Sequence, residues 1–113
     1  MIEVYGIKNC NKIRDTLSWL EEEGVEYRFI DVKKDPVSRE QLEGFVQKAG
    51  LETLVNKRGM KWRKLGLADR ELSDRELFDQ LLEHQTMIKR PLMVRGLDVI
   101  AGYDEDAFEE FIT

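Results

Sequence analysis

Cys10 is the only cysteine among the 113 residues of the chain, and its side chain is the one with the intrinsic chemistry of a strong nucleophile. It stands where an alternating run, Ile2-Glu3-Val4-Tyr5, has ended at Gly6 and a helical run begins, so the sulfur falls at the turn from strand to helix. Backbone N–H groups without intrahelical partners and the positive end of the helix dipole converge at such a turn. With Lys8, Lys12 and Arg14 within four residues, these surroundings favour the thiolate over the thiol. The same loop, with Asn9 and Asn11 flanking the sulfur, would also cradle an oxyanion, because helix starts bind anions through backbone donors. Nucleophile and anion site would then coincide. The plainer alternative is that Cys10 is a small apolar residue, as many free cysteines are. A lone cysteine forms no internal disulfide, and with a single histidine it builds no zinc site of the Cys/His type, so no metal is expected. Redox work by Cys10 would need a partner thiol from another molecule.

Positive charge recurs at two further places. Lys57 and Arg58, with Lys61, Arg63 and Lys64, form a basic cluster that is either a solvated surface or a grip on phosphate or a similar anion. Arg90 stands before Pro91 at the head of a strand, where a residue without an N–H is tolerated. His84, near the end of a helical run, reads as a surface residue that complements the helix dipole rather than as a base. Trp19 and Trp62 read as packing residues, and the runs Glu21-Glu22-Glu23 and Glu109-Glu110 as solvated helix faces.

The elements that must position these groups are written in the periodicity. Ile13, Leu17 and Leu20 recur at helical spacing after Cys10, and Gly24 supplies the left-handed stop. Residues 26–32 then resume a strand, and so short a β-α-β unit implies parallel strands. Ser38 with Gln41 is a capping box ahead of Leu42, Phe45, Val46 and Ala49, and Ser73 with Glu76 is another ahead of Leu77, Phe78, Leu81 and Leu82. Between them, residues 51–70 carry no firm pattern; Leu54-Val55 and Trp62 with Leu65 suit short helical turns packed on the domain. Residues 92–95 and 98–101 are strands joined by Gly96-Leu97, a link short enough only for a hairpin, and Asp104 caps a last helix that buries Ala107, Phe108, Phe111 and Ile112. The order is β-α-β, a helical insert at about residues 36–88, then β-β-α, which is the thioredoxin-like plan of an α/β fold: a mixed sheet with helices on both sides. One such domain is expected over residues 1–113. In this plan a cis proline at Pro91 packs against the active-site cysteine and leaves Arg90 as a charge-assisted clamp for an oxyanion.

Apolar residues make up 42% of the chain and charged residues 36%, the composition of a globular domain rather than a disordered one. A net charge of −5 argues against a general grip on nucleic acid, so no direct nucleic-acid partner is expected. Met1-Ile2-Glu3-Val4-Tyr5-Gly6 is short, acidic and alternating, unlike a signal peptide, and no run nears the roughly 20 apolar residues that span a bilayer. The expected location is the cytoplasm, with no membrane partner.

Three ordered motifs carry a resemblance over nearly the whole chain: Tyr5-Gly6-Ile7-Lys8-Asn9-Cys10; Asn56-Lys57-Arg58-Gly59 with Trp62-Arg63-Lys64-Leu65-Gly66-Leu67; and Ile88-Lys89-Arg90-Pro91-Leu92. The chain resembles the arsenate reductase family of the glutaredoxin-coupled type, especially its branch of small bacterial proteins that includes the Spx regulators. The resemblance implies that Cys10 attacks an arsenate-like oxyanion or a disulfide, with glutathione as co-substrate, glutaredoxin as partner and no bound cofactor. From the residues around Cys10, Lys8 and the loop N–H groups are expected to activate the thiol, Asn9, Asn11 and Lys12 to adjoin the anion, and Pro91 to shape the pocket. Family arsenate reductases hold the anion with three arginines. Arg90 matches one, Lys57 or Arg58 stands at the second, and Gly102-Tyr103 occupies the region of the third. The Spx branch binds the C-terminal domain of the RNA polymerase α-subunit, and many members switch through a Cys-x-x-Cys pair. Here Ile13 fills the second position, which excludes that switch. The resemblance therefore leaves two readings, a thiol reductase and a non-enzymatic polymerase-binding module.

Overall fold

In the computed structural model, which describes residues 1–113, the alternating N-terminal run forms strand β1 (Ile2–Gly6). The chain returns through helix α1 (Asn11–Glu22) to β2 (Tyr27–Asp31), which pairs parallel with β1, as so short a crossover requires. Gly24, at φ +68°, closes α1: its N–H donates to Glu21 O and that of Val25 to Leu20 O, so the helix's last carbonyls are satisfied. Strands β3 (Leu92–Arg95) and β4 (Asp98–Ala101) form the expected hairpin through Gly96 and Leu97. β3 pairs antiparallel with β1, giving a mixed sheet of order β2-β1-β3-β4.

The pleat sorts the core into two halves. Ile2, Val4 and Met93 point to one face, where Ile13 and Leu20 of α1 meet Phe108 and Phe111 of the C-terminal helix α6 (Glu105–Ile112). Tyr5, Ile30, Leu92 and Val94 point to the other, onto helices that join β2 to β3. Those are α2 (Arg39–Ala49), α3 (Leu51–Leu54), α4 (Met60–Lys64) and α5 (Asp74–Glu83), with single 3-10 turns at Leu67–Asp69 and Gln85–Met87. Helices thus cover both faces, and the fold is the thioredoxin-like one, with extra helices between its second and third strands. Both capping boxes form: Ser38 accepts from the Gln41 N–H and Ser73 from that of Glu76, while each partner side chain reaches back to the cap. Asp104 caps α6 by accepting from the Asp106 and Ala107 N–H groups.

Within residues 51–70, Leu54, Val55 and Trp62 are buried. Gln85 ties this helical layer together. Its amide accepts from Val37 N–H and donates to Val37 O, both at 2.7 Å, as a paired strand would.

Two outcomes test this packing. Gly6 lets α1 approach β1, since a Cβ there would lie 2.7 Å from Ile13 Cγ1 in a closed part of the core. Gly6→Ala should lower stability by ~1–3 kcal/mol in urea unfolding, and Ile13→Val, which removes the methyl nearest the new group, should restore part of it; an unmoved midpoint would mean the helix is free to shift. Tyr5 is the second case: burial first, then the Glu3 carboxylate 3.3 Å from its hydroxyl, pushes the phenol from 10.0 up to about 12. Because the fold favours the neutral phenol, its stabilising contribution is complete below pH 10 and is lost as pH rises toward 12. Tyrosinate absorbance of the folded chain should therefore rise later than that of the urea-unfolded chain, and superposable curves would contradict the burial.

Candidate functional site

Helix α1 begins with an unusual cap. Cys10 occupies the position that Ser, Thr or Asp commonly takes; its backbone is extended (φ −135°, ψ 124°) and its carbonyl accepts from Arg14 N–H at 3.0 Å. No side chain caps the helix and no acid lies in its first turn. The first helical N–H groups, from Asn11 onward, have no intrahelical acceptor, so they and the dipole face the space beside the half-buried sulfur. Arg14 donates to Asn11 Oδ1 at 2.9 Å, and the wholly buried Thr16 donates to Lys12 O at 2.6 Å, which fixes the first turn.

The opposite wall comes from two segments far apart in sequence. Asn56 N–H donates to Met87 O at 2.8 Å and Lys89 N–H to Leu54 O at 2.7 Å, with Val55 opposite Ile88 in an isolated antiparallel bridge. Asn56 Oδ1 then accepts from Arg58 N–H at 3.1 Å, turning the chain toward α4. This pairing sets Lys57 and Arg58 beside Lys89 and Arg90. The Arg90–Pro91 peptide bond is cis.

Between these walls lies a cleft of about 600 Å³, lined by Cys10, Asn11, Lys12, Val55, Asn56, Lys57, Arg58, Lys89 and Arg90. Five of these side chains are cationic and none is a carboxylate, in a chain whose net charge is −5. Lys12, Arg58, Lys89 and Arg90 make no ion pair. Lys57 is engaged elsewhere: its ammonium sits 2.6 Å from Glu52 and 5.7 Å from the centre of the Trp62 ring. Arg58 is therefore the freer of the two insert cations. No group of three His, Cys, Asp or Glu side chains is arranged to hold a metal.

Six of the nine residues expected from the sequence thus meet in one cleft. Lys8 and Asn9 are exposed on the bend leading to Cys10 and do not line it, because Ile7 packs inward against the core and carries its neighbours to the outside. Pro91 is buried and does not line the cleft. Three lining residues went unforeseen: Val55, Asn56 and Lys89. The signal for Asn56 was Asn two residues before Arg58, an Asx-turn pattern. Lys89 matters most, for its stem lies 3.6 Å from where a Cβ on Gly102 would stand. A cation from the proline segment thus covers the very region after the last strand that lacks an arginine. Of the other sequence candidates, Trp62 is buried, Trp19 packs on Phe108 at 5.4 Å, and His84 is the C-terminal cap of α5.

Comparison with known proteins points one way. A profile of the ArsC family matches residues 5–111. The chain is 36% identical over 110 residues to the uncharacterized protein YusI of Bacillus subtilis, covering 94% of this chain and 93% of YusI. It is 35% identical over 98 residues to an arsenate reductase of Rhizobium meliloti, covering 85% of this chain and 70% of that protein. At 25% identity over 114 residues it is similar to the global transcriptional regulator Spx of Lactiplantibacillus plantarum, covering 99% of this chain and 86% of the regulator. Among solved structures, the YFFB protein superposes with a TM-score of 0.91 at 31% identity over the whole of both chains.

The geometry sets an expectation for anion binding at the sulfur. Sulfate or arsenate should protect Cys10 from alkylation by iodoacetamide. Arg58→Ala, Lys89→Ala and Arg90→Ala should each raise the protecting concentration about fivefold, corresponding to ~1 kcal/mol for a solvent-facing ionic contact. Lys8→Ala should leave it unmoved. Equal protection in all four variants would dissociate the cations from the anion.

Proposed function

We propose that this chain, which belongs to the ArsC family, works as a cytoplasmic thiol reductase with Cys10 as its nucleophile and glutathione, recycled with glutaredoxin, as its reductant. The observation that carries the proposal is the sulfur's place at an uncapped helix start, in a cleft with five cations and no carboxylate. A thiolate there faces the N–H groups of α1, which offset its charge, while Arg90, Lys89 and Arg58 hold an anionic electrophile against it. With a glutathione mixed disulfide as substrate, Cys10 Sγ attacks one sulfur, the Sγ–S bond forms as the S–S bond breaks, and the other half departs as thiolate. Glutathione thiolate then attacks the adduct, forming a disulfide and returning Cys10. An external thiol, here glutathione, is needed because the chain has no second cysteine to resolve the adduct. With an oxyanion as substrate, the three cations serve the same clamping role, Lys89 standing in for the arginine absent at Gly102. One domain over residues 1–113 carries the whole site.

Similarity to Spx along 99% of the chain supports a second reading, a module that binds the RNA polymerase α-subunit without turnover. Glutathione-coupled reduction, scanned over arsenate and glutathionylated substrates, separates the two. Wild type should turn over at least one of them and Cys10→Ser should fall to background. Equal rates from both would remove Cys10 from the chemistry, and retention of an inactive wild type on immobilised α-subunit would establish the binding module instead.

A further inference from the structure

The cleft at Cys10 does not end at Arg90. A second cleft of about 330 Å³ continues from it, and the two share Arg90 and Asn56 in their walls. Its cations come from three separate parts of the fold: Lys33 follows β2, Lys61 and Lys64 belong to α4, and Arg90 precedes Pro91. None of the four makes an ion pair, and no carboxylate lines this cleft either. Its floor is apolar where Trp62 and Met87 are buried. Segregation of charge distinguishes these two clefts from three other sizeable ones, one of which shares Lys33 and Lys61. Each of the other three sizeable clefts contains acid: Asp98 and Glu110 between the hairpin and α6, Glu83 at the end of α5, and Glu52 beside Trp62.

A set of unpaired like charges brought together by three chain segments repels itself and is relieved by a bound anion. A small oxyanion at Cys10 would occupy only the first cleft and leave the second unrelieved. We infer that the second cleft is a specificity subsite for an anionic group, a carboxylate, on the body of an extended small-molecule disulfide whose reacting sulfur lies at Cys10. The apolar floor then carries the body of that substrate, and Arg90, common to both clefts, bridges its two ends. The inference rests on the reading of Cys10 as a thiol nucleophile. It adds to that reading a preference among disulfides that the sulfur and its immediate cations do not provide.

Single-turnover thiol–disulfide exchange with two reagents tests it. In 5,5′-dithiobis(2-nitrobenzoate) each half carries a carboxylate, whereas 4,4′-dithiodipyridine is uncharged. With either, Cys10 Sγ bonds to one sulfur, the S–S bond breaks, and a chromophoric thiol or thiolate leaves in equal amount. The rate ratio of anionic to uncharged reagent should fall about tenfold in Lys33→Ala/Lys61→Ala/Lys64→Ala, since each solvent-facing contact contributes a small factor. It should stay near the wild-type value in Lys48→Ala/Arg63→Ala/Arg75→Ala, which loses the same net charge outside both clefts. An equal fall in both triple variants would assign the effect to overall charge and overturn the subsite, as would no fall in the first. Failure of wild-type Cys10 to react with the uncharged reagent would instead overturn the underlying nucleophile reading.

Discussion

Two backbone hydrogen bonds, from Asn56 N–H to Met87 O and from Lys89 N–H to Leu54 O, hold the basic turn of the insert against the segment that carries Arg90. Without that seam the cations would be scattered along an exposed loop and a strand edge. With it, they line one cleft opposite the start of α1. The seam is short, but what flanks it is apolar and out of water: Leu54, Val55, Met87 and Ile88 are each less than 5% exposed. Burial of these side chains contributes ~1.5–3 kcal/mol apiece, enough to offset repulsion among solvent-facing cations that salt largely screens. Packing on one side of the seam thus sustains the electrostatic arrangement on the other.

The sheet gives this arrangement its second fixed point. β1 delivers Cys10 from its carboxyl end, and Gly6 allows Ile13 to sit so close that α1 is pinned at its first turn. Helix and seam are consequently registered against the same central strand, β1: α1 directly and Arg90 through β3. The sulfur and the guanidinium therefore share a frame although 80 residues separate them in sequence. The chain as a whole runs the other way in charge, with 23 acids against 18 bases. An approaching anion is repelled from most of the molecule and drawn to one side of it, which favours productive encounters.

Most of the architecture was legible because each signal had a local cause. Ser38 and Ser73, each followed three residues later by a side chain that could close a capping box, marked helix starts, and Gly24 marked a helix end through its positive φ. Gly96-Leu97 dictated a hairpin, and the strict alternation of β1 assigned Val4 and Tyr5 to opposite cores. What escaped the sequence was non-local. Val55 pairs with Ile88 across 33 residues, and Gln85 substitutes its amide for a strand partner of Val37 across 48. Neither leaves a periodic trace. For the same reason Lys89 passed as a neighbour of Arg90, and only the fold reveals its stem lying over Gly102.

The solitary sulfur has one more consequence. Since Cys10 has no thiol partner within its own chain, every disulfide it forms must be with a second molecule. Another copy of the protein is a poor choice, because joining two Cys10 residues would press two clefts of five cations each mouth to mouth. The same concentration of positive charge therefore opposes covalent dimerisation through Cys10 and favours conjugates with small anionic thiols.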